Sequence, residues 1–505
     1  MLLYKTYTTA SNRHYVYDAP TGRILECDEL TTRMLSLYRQ GKAFQQISEI
    51  MPDTEESELA MRDEQIRVSR ESEGLFTDGR FTQQNVGRKG MFQKLTQLVL
   101  NVTDDCNLRC GYCVFGENYP QLRQRQPNRM SLQTALAAIE HVVRLRGGSG
   151  TLINLSFFGG EPFLETRLIR SIVTEIAVRH QDQKFRIGAT TNGTLMNLEI
   201  LDLCLETDMD LTISLDGPKD IHDRYRKGLG EFINGSFDRI METLAYICQN
   251  APEYFQAKLG FTCTIAPPFE NARRAEFFGQ CPDLPDQFML RVTEQIWNGL
   301  TQEQGSVLID SYRKEWGQDW ETYKQIVARP DFSKEERWAR GNLFWNSLFS
   351  GHFSDVMSRG VYDHPVYNLL RGECLPHWSR LFASPEGDFY PCIPATYFAD
   401  RRFKVGDVVQ GVDQERVAEI SNSFQEVRQT RCSVCWAAPL CGECFAMFSW
   451  EDPEANCHRR RSHYADCLRN ATELVELRPE LVKVFSTDRT VVDDVSGDEL
   501  LTSPS

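Results

Sequence analysis

The sequence predicts an α/β fold: a parallel sheet forming all or part of a TIM-type βα-barrel, with a small winged-helix-like domain before it and a cysteine-rich domain after it. Three observations carry this. Short β-branched or apolar runs alternate with helical stretches between residues 97 and 264. A turn-punctuated strand pair and three helical patterns fill the stretch before residue 76. Cysteines at short spacings crowd residues 374–467.

Residues 14–27 read HYVYD-APTG-RILEC, a hairpin whose turn chemistry comes from Pro20 and Gly22. Asp28 is placed to cap a helix running to about Gln40, with Gly41 at its stop. A second helix is expected over 43–51, and a third, polar one up to Glu73, just before Gly74. This segment offers no catalytic group, so binding is its expected role. After a Gly/Gln/Lys-rich linker near 78–92, strands are expected at 97–102, 152–157, 185–189, 211–215 and 259–264, with helices between them such as 131–145 and 168–178. Most of these strands run straight into polar, glycine-bearing or cysteine-bearing segments. In βα-barrels chemistry gathers at the C-terminal ends of strands, so these segments should converge on one mouth. Residues 285–370 read as helical and aromatic-rich. Residues 374–467 are loop-rich, so a metal rather than a large apolar core is expected to hold them together. The tail after about 485 reads as mobile. The expected boundaries are 1–85, 93–335, 336–475 and 476–505.

Composition narrows the function classes. The 505 residues are 41% hydrophobic and 25% charged, ordinary for a globular protein of several domains. A net charge of −15 argues against nucleic acid as a partner, because phosphates demand clustered Lys and Arg. No apolar run is long enough for a membrane span, and the N-terminus lacks the basic and apolar regions of a secretory signal, so a cytoplasmic protein is expected. In a reducing compartment, clustered thiols point to metals rather than disulfides. Of the 16 cysteines, Cys27, Cys204, Cys248, Cys263 and Cys281 are scattered and read as small buried hydrophobes.

The first cluster, NVTDDCNLRCGYC, spaces Cys106, Cys110 and Cys113 as C-x3-C-x2-C directly after the first barrel strand. Three thiolates on one tight loop can hold three irons of a [4Fe–4S] cube and leave the fourth open. Structural zinc wants four ligands, and the next histidine, His141, lies on an expected helix. Four further segments follow in order: Gly159-Gly160-Glu161-Pro162, Thr191-Asn192-Gly193-Thr194, Ser214-Leu215-Asp216-Gly217-Pro218, and Arg226. Together with Tyr112 just before the third cysteine, this set resembles the radical S-adenosylmethionine (SAM) family, whose fold is a partial (β/α)6 barrel. The resemblance implies that Tyr112 lies beside the SAM adenine. It further implies that the GGEP segment receives the SAM amino group, that Asn192, Thr194, Ser214 and Asp216 line the ribose and carboxylate, and that Arg226 pairs with the carboxylate. It also implies an external one-electron donor such as flavodoxin or ferredoxin, reductive cleavage of SAM, and a 5′-deoxyadenosyl radical that abstracts a substrate hydrogen.

The second cluster runs Cys374-x12-Gly387-x4-Cys392, then Cys432-x2-Cys435-x5-Cys441-x2-Cys444, then Cys457, with Cys467 close behind. It resembles the SPASM extension of radical SAM enzymes, although that family has x3 where this chain has x2 before Cys444. By resemblance, Cys432, Cys435, Cys441 and Cys457 hold an outer auxiliary [4Fe–4S] cluster, and Cys374, Cys392 and Cys444 an inner one. Either Cys467 completes the inner set or one iron stays open for a substrate thiolate. A zinc ribbon is the competing reading of the repeated Cys-x2-Cys. His377, His458 and His463 read as surface or packing residues.

The N-terminal segment resembles the PqqD-like element that binds leader peptides in enzymes modifying ribosomally made peptides, an edge-strand addition beside a helix. The combined expectation is a peptide maturase installing a crosslink, first a Cys thioether, with C–C or C–O bonds as competitors. A sulfatase-maturing, formylglycine-generating activity is the second reading. Ile393 counts against it, because that subfamily carries an Asp after the corresponding cysteine. The third reading is a non-catalytic iron–sulfur or zinc scaffold, against which the complete SAM-type motif set argues.

Overall fold

The structure, a computed structural model, describes residues 2–83, 95–119, 122–146, 151–294, 302–369 and 379–485. The chain opens with strands β1 (Tyr4–Thr8), β2 (His14–Asp18) and β3 (Arg23–Cys27), an antiparallel sheet in that order, so the expected hairpin gains a third strand that precedes it. Asp28 caps helix α1 (Glu29–Arg39), its carboxylate accepting from the Thr31 amide at 2.7 Å. Helices α2 (Phe44–Ile50) and α3 (Glu56–Glu73) follow, and Gly74 ends α3 at φ +67°, where a side chain would be strained. Tyr4, Val16, Met34, Leu35, Ile47, Leu59 and Ile66 bury one core between sheet and helices. Each such side chain stabilises the fold by roughly 1.5–3 kcal/mol. A short strand, β4 (Thr82–Gln83), closes this stretch.

The alternating region folds as β5 (Gln97–Thr103), α4 (Leu132–Arg146), β6 (Ile153–Gly159), α5 (Thr166–Arg179), β7 (Phe185–Thr191), α6 (Leu198–Glu206), β8 (Asp210–Ser214), α7 (Lys219–Tyr225), α8 (Phe237–Asn250), α9 (Pro252–Lys258), β9 (Leu259–Ile265), α10 (Asn271–Gln280) and β10 (Met289–Glu294). Helices α11 (Gln302–Val327) and α12 (Arg340–Met357) come next. Then follow β11 (Asn368–Leu369), β12 (Arg380–Ala383), β13 (Phe389–Tyr390), α13 (Gln414–Arg431) and α14 (Pro453–Leu477). The main sheet has the order β10-β9-β8-β7-β6-β5-β12-β13, parallel throughout except for β13. Consecutive parallel strands from β5 to β10, each joined to the next through at least one helix, are the expected α/β architecture. Two features depart from the sequence reading. The stretch read as helical from 285 contains β10, and β12 adds itself beside β5.

The chain divides into two compact units. One combines Met1–Gly87, Ser350–Leu375 and Glu419–Asp494; the other contains Arg88–Phe349 and Pro376–Ala418. Within the first unit the N-terminal sheet is tied to α14: Tyr7 Oη meets Thr472 Oγ1 at 2.8 Å, Thr9 donates to Glu476 at 2.9 Å, and the Ala10 amide donates to Glu473 at 2.9 Å. No helix among the described residues is long and apolar enough to cross a membrane.

Candidate active site and thiolate cleft

In the sheet unit, the expected site segments lie at the C-terminal ends of adjacent parallel strands. The Cys106–Cys113 loop leaves β5, and the Gly159-Gly160-Glu161 segment ends β6 against it. A Cβ on Gly160 would lie 2.0 Å from the Asp105 carbonyl oxygen, and one on Gly159 2.3 Å from that of Thr103. The glycines are therefore required by the backbone before Cys106, which accepts from the Gly160 amide at 2.8 Å and the Glu161 amide at 2.9 Å. Pro162 opens a short 3-10 turn capped by Glu161.

Glu161 is fully buried and accepts three hydrogen bonds: from the Phe163 amide (3.1 Å), Thr191 Oγ1 (2.7 Å) and the Asn192 amide (2.7 Å). Burial pushes its carboxyl up to about 7 despite these donors. Asn192 Nδ2 points to Cys106 Sγ at 3.7 Å and donates to Asn107 Oδ1 at 2.8 Å, while its Oδ1 accepts from the Thr194 amide and hydroxyl. Asn107 returns a bond to Thr194 Oγ1 at 2.8 Å. The end of β7 is thus laced to the cysteine loop by side-chain amides. Arg125 Nη2 approaches Cys113 Sγ at 3.9 Å. Burial pushes the Cys106 thiol up to about 11 and that of Cys110 up to about 12, so proton release is coupled to any metal bound there.

Ser214 ends β8, and Asp216 just beyond it is buried and accepts from Arg226 Nε (2.9 Å), the Thr264 amide (2.9 Å) and the Tyr112 hydroxyl. Burial works to raise the Asp216 carboxyl, but the Arg226 guanidinium overrides it and holds the group below the usual range. The same guanidinium lies 5.5 Å from the centre of the Tyr112 ring. Arg226 is therefore committed to a buried ion pair and an aromatic face. Beside the glycines, a cleft of about 230 Å³ is lined by Asn101, Asp104, Phe115, Arg123, Arg125 and Phe158. Asn101 Oδ1 is buried there without a hydrogen-bond partner among the described residues.

In the other unit, Cys432, Cys435, Cys441 and Cys457 line one cleft of about 540 Å³. Phe424 and Phe448 supply its apolar wall, and Arg428, Arg431, Arg460 and Arg461 surround it. Burial pushes Cys441 up to about 12 and also raises Cys457. Arg460 is locked in place by Glu443, which accepts its Nε at 2.5 Å and Nη2 at 3.0 Å and takes a further bond from Asn456 at 3.1 Å.

Residues 100–265 match the model of the Radical SAM superfamily. They form a radical SAM domain. An uncharacterised protein of Methanocaldococcus jannaschii is 32% identical over 140 residues, 27% of this chain and 45% of that one. A cysteine-type anaerobic sulfatase-maturating enzyme of Clostridium novyi is 27% identical over 175 residues, 32% of this chain and 42% of that enzyme. The chain thus spans less than half the length of these curated relatives. Among solved structures, native anSMEcpe with bound AdoMet is similar in fold, with a TM-score of 0.52 at 18% identity over 78% of this chain and 100% of that one. The same protein with AdoMet and the Kp18Cys peptide gives a TM-score of 0.51 at 18% identity, over 77% of this chain and 99% of that one.

The radical SAM domain brings Cys106, Cys110, Cys113, Tyr112, the GGEP segment, Asn192, Thr194, Ser214, Asp216 and Arg226 together beyond the C-terminal ends of β5 to β8. Cys392 lies buried in the same unit, just after β13. Cys444 belongs to the other unit but not to the lining of the thiolate cleft. Cys467 lies instead against His352 and His463. Cys374 and His377 fall outside the described residues. Of the five scattered cysteines, Cys204 and Cys263 are buried and Cys27 and Cys281 half-buried, but Cys248 is exposed on α8, contrary to the expectation for it. Sequence reasoning missed Asn107, which its place directly after Cys106 could have flagged. It also missed His222, whose Nδ1 accepts from the Asp216 amide at 3.3 Å and which burial pushes down to about 3. Arg274, buried on α10 and donating to the Asp216 carbonyl at 3.0 Å, carried no sequence signal.

Proposed function

We propose that this chain is a radical SAM peptide maturase that binds a ribosomally made precursor and installs a crosslink, first of all a thioether from a cysteine sulfur to carbon. The observation that carries the reading is the three-cysteine loop laced to the glycine-rich end of β6 and the Asn192 end of β7, beside a cleft. When bound, a [4Fe–4S] cluster on Cys106, Cys110 and Cys113 together with SAM supplies one-electron reductive chemistry and a hydrogen-abstracting radical, with the electron coming from an external flavodoxin or ferredoxin. The chain's own residues bind and orient. Asn192 and Arg125 offer N–H groups to thiolate sulfurs, which stabilises the ionised form. The Asp216–Arg226 pair fixes Tyr112 as a flat wall for the adenine, and the Glu161 segment offers an acceptor for the amino group.

The cleft of Cys432, Cys435, Cys441 and Cys457 fits an outer auxiliary cluster: four thiolates bring negative charge that its arginines offset. Cys374, Cys392 and Cys444 are read as the inner set. Three cysteines for four irons leave room for a substrate thiol, which favours a thioether over C–C or C–O crosslinks. For the precursor, β3 has a single neighbour, β2, in its sheet among the described residues and is followed by α1, so an extended leader can add beside it.

Formylglycine generation is the second reading, favoured by the sulfatase-maturating relatives and disfavoured by Ile393 after Cys392. Anaerobic co-expression with a short cysteine-bearing peptide, followed by mass spectrometry, separates the two. Loss of two hydrogens with a cysteine that resists alkylation is the expected result. Loss of sulfur from the cysteine supports formylglycine, and an unmodified peptide with active SAM cleavage counts against the maturase. Glu26→Pro on the edge strand, where proline is tolerated, is expected to weaken leader binding at least tenfold at unchanged iron content. An unchanged dissociation constant removes the leader-binding claim.

A further inference from the structure

We infer that His352, His463 and Cys467 form a binding site for one zinc ion, distinct from the thiolate cleft. The inference is independent of the peptide-maturase reading.

The geometry is that of a shared ion. Cys467 Sγ lies 3.6 Å from His352 Nδ1 and 3.5 Å from His463 Nε2, and the two imidazole centres are 5.0 Å apart. An ion bound tetrahedrally at about 2.3 Å from sulfur and about 2.0–2.1 Å from nitrogen holds those donors roughly 3.6 Å apart. Among the described residues this is the only group of three His, Cys, Asp or Glu donors gathered within 4.8 Å of one another. The thiolates of Cys432, Cys435, Cys441 and Cys457 are not gathered so closely, as a larger group requires.

The sequence builds the site from two helices. His463 and Cys467 are four residues apart on α14 and so share a face, while His352 comes from the last turns of α12. A zinc ion displaces the thiol proton to solvent, and the resulting set of two neutral imidazoles, one thiolate and Zn²⁺ carries a net positive charge that Asp355, one turn beyond His352, offsets. One thiolate with two imidazoles suits zinc among the common divalent ions, and the fourth position goes to water.

The site steadies the neighbouring cysteine loop. Tyr464, next to His463, accepts from the Gly442 amide at 3.1 Å, and Gly442 directly follows Cys441. Tying α14 to α12 through an ion holds Tyr464 under that loop.

The test uses the full chain purified anaerobically from zinc-supplemented medium, with zinc and iron measured together by mass spectrometry and the zinc environment read by X-ray absorption at the zinc edge. The expected result is about one zinc per chain with one sulfur near 2.3 Å and nitrogen or oxygen near 2.0 Å. In His352→Ala/His463→Ala and in Cys467→Ser, zinc falls at least tenfold while iron is unchanged. No retained zinc, or zinc surrounded by four sulfurs, overturns the site whether or not the variants fold. Loss of iron in Cys467→Ser overturns it too, because it would make Cys467 a cluster ligand.

Discussion

The two cysteine regions solve the same chemical problem with different scaffolds. Around Cys106–Cys113 the loop is held by the sheet: strand-end glycines dock on its backbone, Glu161 takes three hydrogen bonds, and Asn192, Asn107 and Thr194 lace two strand ends together. Around Cys432–Cys457 the thiols sit on a 3-10 turn, a loop and the start of α14, between aromatic rings and four arginines. In the first site, strand-end backbone bonds and side-chain amides hold the loop against the sheet. The second is closed by local turn bonds rather than by strand ends, so a group bound by its cysteines would add more to its order.

That contrast can be broken by substitution. Cys106→Ala is expected to abolish SAM cleavage, with 5′-deoxyadenosine at background, while leaving the thermal midpoint nearly unchanged because the loop is fixed by its neighbours. A drop of many degrees would show that the bound group also organises the first site. Cys432→Ala should do the reverse, removing about four irons per chain and lowering the midpoint, yet leaving some uncoupled SAM cleavage. Full iron retention would remove the auxiliary cluster. Gly160→Ala places a methyl against a backbone carbonyl that cannot yield cheaply, so a cost of about 3 kcal/mol in denaturant unfolding is expected, along with lost cleavage. A cost below about 0.5 kcal/mol would mean the cysteine loop is not clamped.

The smallest effect is a pH slope. Glu161 titrates near 7 in the folded state against 4.5 in its ordinary state, so the folded form binds the proton more tightly. Its contribution is fully present below about 4.5 and is lost as pH rises through 7, amounting to at most about 3 kcal/mol. Glu161→Gln should flatten that part of the stability profile while costing roughly 1–3 kcal/mol overall, because its NH2 group opposes donors. An unaltered slope would assign the dependence to another group.

Much of this was legible in the residues. The apolar runs of β5 to β9 and the caps at Asp28 and Gly74 act within a few positions of the chain, where periodicity and turn chemistry speak directly. Strand β10 escaped because MLRVTE is short and buries only Leu290, inside a stretch that reads as helical. Strand β12 escaped because its four residues pair with β5 across some 280 positions, which no local pattern encodes.

By itself the sequence determined the chemistry on offer: three closely spaced thiols after a strand, glycine-rich and amide-bearing strand ends, and a second run of cysteines. These are short-range facts, set by which side chains a single loop can present. Only the tertiary structure decided the partners. It turned Arg226 toward Asp216, set Asn107 between Asn192 and Thr194, and carried His352 to Cys467 across 115 positions. Such contacts depend on how helices and strands pack, and packing is a property of the whole core rather than of any segment within it.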